Sequence, residues 1–170
     1  AAEVANATET SIWSGSAGEG SFDGFATLLG ADSTVVDVAK ATVSSSNVIA
    51  QLGAIVDAAP SAVLGKEDLT LYVSSNVGAN GIDNKGTTWY NGGELSFEGI
   101  NIFVAKGLAD NNAVLAQKSN LFFGTGLLDD RNEVKVIDMA DLDGSQNVRV
   151  VMRYTAGVQT GIGSDIVLYS

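Results

Sequence analysis

The chain has 170 residues, 45% of them apolar and 17% charged, with 20 Gly, one Pro and neither Cys nor His; that length suits one domain, and the apolar share excludes disorder over most of it. Without His and Cys there is no imidazole base, no Ser-His or Cys-His nucleophile pair, no disulfide and no thiolate or imidazole zinc site. Nine Lys+Arg against 20 Asp+Glu leave a formal charge of −11, a surface that repels phosphate backbones and anionic lipid, so neither sequence-specific nucleic acid nor a membrane is expected as a partner.

Residues 1–13 carry neither the basic start nor the apolar stretch of a signal peptide, and no apolar run approaches the ~18 residues of a membrane span. A chain that opens at Ala1 without Met reads as a processed product or a segment of something longer. Up to Ser46 the residues are small and polar, punctuated by Gly15, Gly18, Gly20 and Gly24. Within this stretch Phe22, Phe25, Leu28 and Leu29 recur at helical spacing and predict a helix of one or two turns, capped by Asp23 and ended by Gly30. Val35, Val36 and Val38 predict a short strand.

Asn47 to Ala59 carries a single apolar stripe, Val48, Ile49, Leu52, Ile55, Val56 and Ala59, and is the clearest helix. Asn47 is its natural N-cap, and Pro60, the one proline, stops it by pushing the preceding residue out of the α region. After Gly65 the period changes to two. Leu69, Leu71 and Val73 alternate with Thr70, Tyr72 and Ser74, and Ile100, Ile102 and Val104 alternate with Asn101, Phe103 and Ala105, predicting two strands. Between them Asn76 to Gly93, with its Asn80-Gly81 and Asn91-Gly92 turn dipeptides and its Trp89-Tyr90 pair, predicts a long projecting or partner-contacting loop. Leu121–Phe123 and Glu133–Asp138 predict further strands. The longest spans Asn147 to Thr155, with Val148, Val150, Met152 and Tyr154 on one face and Arg149, Val151, Arg153 and Thr155 on the other. Asp143-Gly144 supplies a turn, so residues 133–155 form an antiparallel pair, and Asp165–Tyr169 closes the chain as a last strand.

Few patterns carry chemistry. Gly124-Thr125-Gly126 has Asp129 where a dinucleotide fingerprint needs glycine, and Gly65-Lys66 is followed by Glu67 rather than Ser or Thr, so neither is a phosphate loop. Counted as an EF-hand from Asp141, Gln146 falls on the glycine position and Met152 on the bidentate glutamate, which rejects a calcium loop. Glu94 and Glu98 share a strand face but nothing fixes the separation a glycosidase needs. They read better as charges that keep a sheet edge soluble. Ser119 beside Lys118 is a poor nucleophile-base pair, since adjacent strand residues face opposite ways. The sequon Asn6-Ala7-Thr8 is a frequent chance match. No catalytic residue, cofactor or metal site is expected.

The order of elements resembles the carboxy-terminal part of major capsid proteins of tailed bacteriophages, the Hong Kong 97-type shell. The likeness rests on a short amphipathic helix, a strand and a long loop, then Gly99-Ile100-Asn101-Ile102-Phe103-Val104. Asn120-Leu121-Phe122-Phe123-Gly124-Thr125 follows with Asp129-Asp130-Arg131 behind it. Asn147-Val148-Arg149-Val150-Val151-Met152-Arg153-Tyr154, then Gly157-Val158-Gln159 and Ile166-Val167-Leu168-Tyr169, form the close. It covers about residues 47–170, while the family's amino-terminal arm and extended loop have no counterpart. The resemblance implies an α+β fold, an antiparallel sheet covered by the 47–59 helix, with residues 1–46 a peripheral-domain-like lead-in, 47–146 an axial-domain-like core and 147–170 closing peripheral-domain-like strands. It also implies a self-assembling, non-enzymatic subunit of an icosahedral shell that encloses DNA, a homo-oligomer of hexamers and pentamers assembled in the host cytoplasm and resident in the virion. Trp89, Tyr90, Arg149 and Arg153 are the subunit-interface candidates. The rival reading is a secreted or surface carbohydrate-binding module with Trp13, Trp89 and Tyr90 as sugar platforms. A hydrolase built on an acidic pair comes third.

Overall fold

A computed structural model of the chain describes residues 2–19, 21–83, 90–91, 94–126, 134–139, 144, 146–152 and 155–170. Two units emerge, a body of Ala1–Phe122 with Val158–Ser170, and a segment Phe123–Gly157.

At the centre of the body lie two strands buried on both faces, β2 (Leu69–Val73) and β6 (Ala113–Gln117). The alternation in β2 predicts its strand, yet its polar positions are not wet: Thr70 is buried and Tyr72 half-buried. β6 carries no alternation at all, because Ala113, Val114, Leu115 and Ala116 are all buried, and a strand covered on both sides needs apolar residues at every position. Around this pair the sheet runs β1 (Val36–Val38), β11 (Val167–Tyr169), β6, β2, β5 (Ile100–Val104), β4 (Glu94–Phe97), β3 (Tyr90–Asn91). The α+β class with a covering helix is the one observed. The uniformly antiparallel order is not: β1 with β11 and β2 with β5 are parallel, because the connections between them cross the sheet through other elements instead of turning back as hairpins.

Register sets the two faces. Leu71 lies between Leu115 and Ile102, and Leu115 opposes Val167, so these residues share one face. Helix α3 (Val48–Asp57) covers it with Val48, Leu52, Ile55 and Val56, the stripe expected from its period. Asn47 flanks α3, but its side chain serves the preceding loop instead of the helix: Oδ1 accepts from the Ser44 N–H at 2.7 Å and Nδ2 donates to the Thr42 carbonyl at 3.0 Å.

On the opposite face sit Tyr72, Val114, Ala116 and Leu168, covered by Trp13, Phe25 and Leu29. These come from α1 (Ala2–Ser14) and α2 (Phe25–Ala31). The pattern of the first 14 residues does not predict α1, whose surface is mostly small and polar. It is held by docking: Glu9 Oε1 accepts from the Lys106 N–H at 3.0 Å and Ser14 Oγ donates to the Gly107 carbonyl at 2.7 Å. A Cβ on Gly107 would run into the Glu9 backbone, so glycine there sets how closely helix and loop approach. α2 starts at Phe25 with Gly24 before it. Asp23 instead accepts from the Ala17 N–H at 2.9 Å.

The expected loop after Asn76 begins as a helix, α4 (Ser75–Asp83), with Val77 buried against the α3 side of the sheet. Its Asn-Gly signal is overridden because Asn76 and Asn80 pin the turn. Asn76 Oδ1 accepts from Ser74 Oγ and from the Asn111 N–H, and Asn80 Nδ2 donates to the Asn76 carbonyl. Tyr90–Asn91 then pairs with β4 as the sheet's outermost strand, so this part of the expected loop is also regular structure. β4 is therefore not an edge. Glu98 sits in the following turn at φ 49, with Gly99 at φ 81, so the Glu94–Glu98 strand-face pair does not form.

In the Phe123–Gly157 segment, β8 (Val134–Asp138) and β9 (Val148–Met152) form the expected antiparallel pair, Val136 opposite Val150 and Ile137 opposite Arg149. Gly144 at φ 72 lies in their connection. Strands β7 (Leu121–Thr125) and β10 (Ala156–Thr160) make a second two-stranded ribbon, of which β10 is not evident as a strand from its alternation.

Candidate functional site

Three places on the described surface are chemically distinctive. The first is the β8–β9 ribbon. Period two puts Val136, Asp138, Val148 and Val150 on one face and Lys135, Ile137, Arg149 and Val151 on the other. The valine face is the expected apolar one, but none of the described residues buries it: Val136 is 67% exposed, Val148 60% and Val150 64%. On the cationic face Ile137 and Val151 are half-buried, with Arg149 and Lys135 exposed beside them.

The second is the part of the sheet's α1–α2 face beyond those helices. Trp13 packs on Tyr72 in a tilted arrangement with ring centroids 4.9 Å apart, and Tyr72 meets Phe103 edge-on at 5.9 Å. There the cover ends, leaving Phe103 54% exposed. A groove of about 600 Å3 runs here past Thr70, Tyr72, Asn101, Phe103 and Lys118. Burial pushes the Tyr72 hydroxyl above its usual pKa, keeping it neutral.

Beside the groove lies the third, a clamp on Asp68. Its carboxylate accepts from Ser119 Oγ at 2.5 Å, from Gln117 Nε2 at 2.9 Å and from the Ser119 N–H at 3.3 Å. The Ser119 hydroxyl first, then the Gln117 amide, stabilise the anion and hold its pKa down to about 2. Ser119 is thereby spent on Asp68 and is not oriented by Lys118. The clamp ties the start of β2 to the end of β6, a structural task.

Of the interface candidates, Arg149 is exposed on β9 and Tyr90 belongs to β3; Trp89 and Arg153 lie outside the described residues, as do Asp129, Asp130, Asp141 and Asp143. Trp13 is corrected. At 6% exposure and packed on Phe25 and Tyr72, its indole face is spent in the core and offers no sugar platform. Among the described residues no three Asp or Glu side chains gather as metal ligands, and no helix is long and apolar enough to cross a membrane. Phe103, Phe122 and Ile162, all more than half exposed, are surface features that sequence alone does not separate from core residues, since an outward apolar residue carries the same letter as an inward one.

No family model matches the sequence, and no curated protein matches it. Solved structures do. A chain from the structure "Capsid of empty GTA particle computed with C5 symmetry" is similar over 98% of this chain and 62% of its own, with TM-score 0.63 and 16% identity. One from Mycobacterium phage Che8 matches 81% of this chain and 53% of its own, with TM-score 0.61 and 11% identity. One from "Crystal structure of virus-like particle from Pyrococcus furiosus" matches 84% and 57%, with TM-score 0.54 and 13% identity. The fold is therefore that of capsid and virus-like-particle chains, as the order of elements implies. This chain spans between about half and two thirds of the length of these three.

Proposed function

We propose that the chain is a structural subunit of a viral shell, working by self-assembly and not by catalysis. The observation that carries this is the fold match over 98% of the chain to a capsid chain. The exposed Val136, Val148 and Val150 support it, because apolar side chains left this open on a ribbon are surface that expects a partner. In this reading copies form the hexamers and pentamers of an icosahedral particle that encloses DNA, assembled in the host cytoplasm and resident in the virion. Arg149 and Arg153, with Trp89 and Tyr90, are the interface residues. A net charge of −11 suits an inner wall that does not adhere to the nucleic acid it contains.

The rival carbohydrate-binding module loses the platform residue Trp13 to the core and is not favoured. Sedimentation and electron microscopy of the purified protein over a range of concentrations decide between them. Closed particles or discrete ring-shaped oligomers are expected. A protein that stays monomeric throughout, or a monomer that binds glycans, would overturn the shell reading.

A further inference from the structure

We propose that the groove beside Phe103 is a binding site for a small, planar aromatic acid, its ring laid on Phe103 and its carboxylate met by Lys118. The site is built from the body alone and goes beyond the shell-subunit reading.

Aromatic side chains cross this face of the sheet in a row. Phe25 packs on Trp13 with centroids 5.4 Å apart, Trp13 on Tyr72 at 4.9 Å and Tyr72 on Phe103 at 5.9 Å, each pair tilted or edge-on. The row begins in the core with Phe25 and Trp13 buried and ends in the groove with Phe103 more than half exposed. A further ring set against Phe103 continues the same geometry, which the ring quadrupoles favour beyond the apolar area they bury. Tyr72 and Phe103 are register partners on β2 and β5, as are Thr70 and Asn101. The groove floor is therefore made by two paired strands and not by a loop, which holds the ring positions fixed. Its volume of about 600 Å3 suits a small molecule.

The polar groups of the groove select an acid. Among the described residues that line it, Lys118 is the one that carries a charge, in a chain of formal charge −11. Its ammonium and the Asn101 amide have no hydrogen-bond or ion-pair partner among the described residues. Asp68, beside the groove, has its carboxylate engaged by Ser119 and Gln117, which leaves Lys118 to a ligand. Burial keeps the Tyr72 hydroxyl neutral, so it adds no charge that would oppose an anion. An aromatic cation would gain the same rings but meet Lys118 at close range. The rest of this acidic surface repels an anion, so an aromatic acid is held here and turned away elsewhere. An exposed ammonium-carboxylate contact is worth little by itself. The rings therefore carry most of the affinity, and Lys118 decides which aromatic ligand is preferred.

Equilibrium dialysis of the purified full chain against indole-3-acetate and its neutral amide, indole-3-acetamide, tests this, with thermal melts to confirm that each variant folds. The acid is expected to bind at one site, about threefold more tightly than the amide at low salt, and to lose that advantage at high salt. Lys118→Gln should remove the acid's advantage and leave the amide's affinity unchanged, a split that a general loss of packing would not give. Phe103→Leu, which keeps an apolar side chain without the ring, should weaken both ligands about fivefold. In the parent protein indole-3-acetate should slow chemical acetylation of Lys118 and not of Lys66, which is also exposed but does not line the groove. Absence of saturable binding, or an acid-amide difference that survives Lys118→Gln, would overturn the proposal. Acetylation of Lys118 that is slow in assembled protein without ligand and fast after dissociation would put a second copy in the groove, and would overturn it too. None of these outcomes bears on whether particles form, so the shell reading is tested separately.

Discussion

The body and the ribbon segment use the same residues to opposite ends. In the body, valines such as Val48, Val73 and Val114 are fully buried between sheet and helices, each worth roughly 1.5–3 kcal/mol relative to exposure. In the ribbon, Val136, Val148 and Val150 stand in an equally regular strand pair and bury little. Strand pattern therefore does not measure stability. Described residues cover the body's sheet on both faces, whereas the ribbon's valines remain exposed among the described residues.

Truncating side chains in the two regions must therefore give different results. The largest effect belongs to the body: Leu52→Ala, Ile55→Ala or Leu115→Ala should cost about 2–5 kcal/mol through lost transfer energy and a cavity, read as a drop in the midpoint of chemical denaturation. A loss below about 1 kcal/mol would mean that α3 does not pack as described. Gly24 is the next point of attack. A Cβ there would lie 2.7 Å from the Ser11 carbonyl oxygen and from the Gly15 nitrogen, so Gly24→Ala should cost about 1–3 kcal/mol by overpacking the α1–α2 corner. An unchanged denaturation midpoint would show that the corner can relax.

The Asp68 clamp sharpens the contrast through pH. Its folded pKa of about 2 lies below the usual carboxylate value of 3.8, so the bound proton favours the unfolded state. The clamp's contribution is complete above the ordinary carboxylate range and is lost as pH falls through that range toward about 2. Melting temperature measured across that interval should fall less steeply for Asp68→Asn than for the parent. Parallel curves would remove the clamp from the account. The smallest effect is expected in the ribbon: Val150→Thr should leave the body's denaturation midpoint within about 0.5 kcal/mol, its consequence being confined to association. A large loss of body stability in this variant would erase the distinction between the two regions.

Where one face is apolar and the other wet, the order of letters already shows the element. α3 is legible for this reason, as are β5 and the β8–β9 pair, and so is the segregation of Arg149 onto the face opposite Val148 and Val150. α4 was masked by Asn80-Gly81, a dipeptide that signals a turn in isolation but sits in a helix when Asn76 and Asn80 find backbone partners and Val77 finds the core. α1 has so few apolar residues that its helix depends on Glu9, Trp13 and Ser14 meeting Lys106, Tyr72 and Gly107, contacts 59 to 97 positions away that no local window contains.

By itself, then, the sequence determined what is local or additive: the chemistry excluded by the lack of His and Cys, the acidic charge and its uneven placement, the amphipathic stripe of α3 and the period-two strands, and from their order the shell-like α+β fold. Only the tertiary structure decided what depends on which surfaces meet. It put β6 beside β2 in the middle of the sheet although its residues carry no period, set β2 parallel to β5, and took Trp13 out of contention as a binding surface by closing Tyr72 and Phe25 over it. It also left the valines of β8 and β9 in the open. The physical reason is common to all of these. Periodicity reports that two faces of an element differ; it falls silent when both faces are buried, and it does not say whether an apolar face is covered.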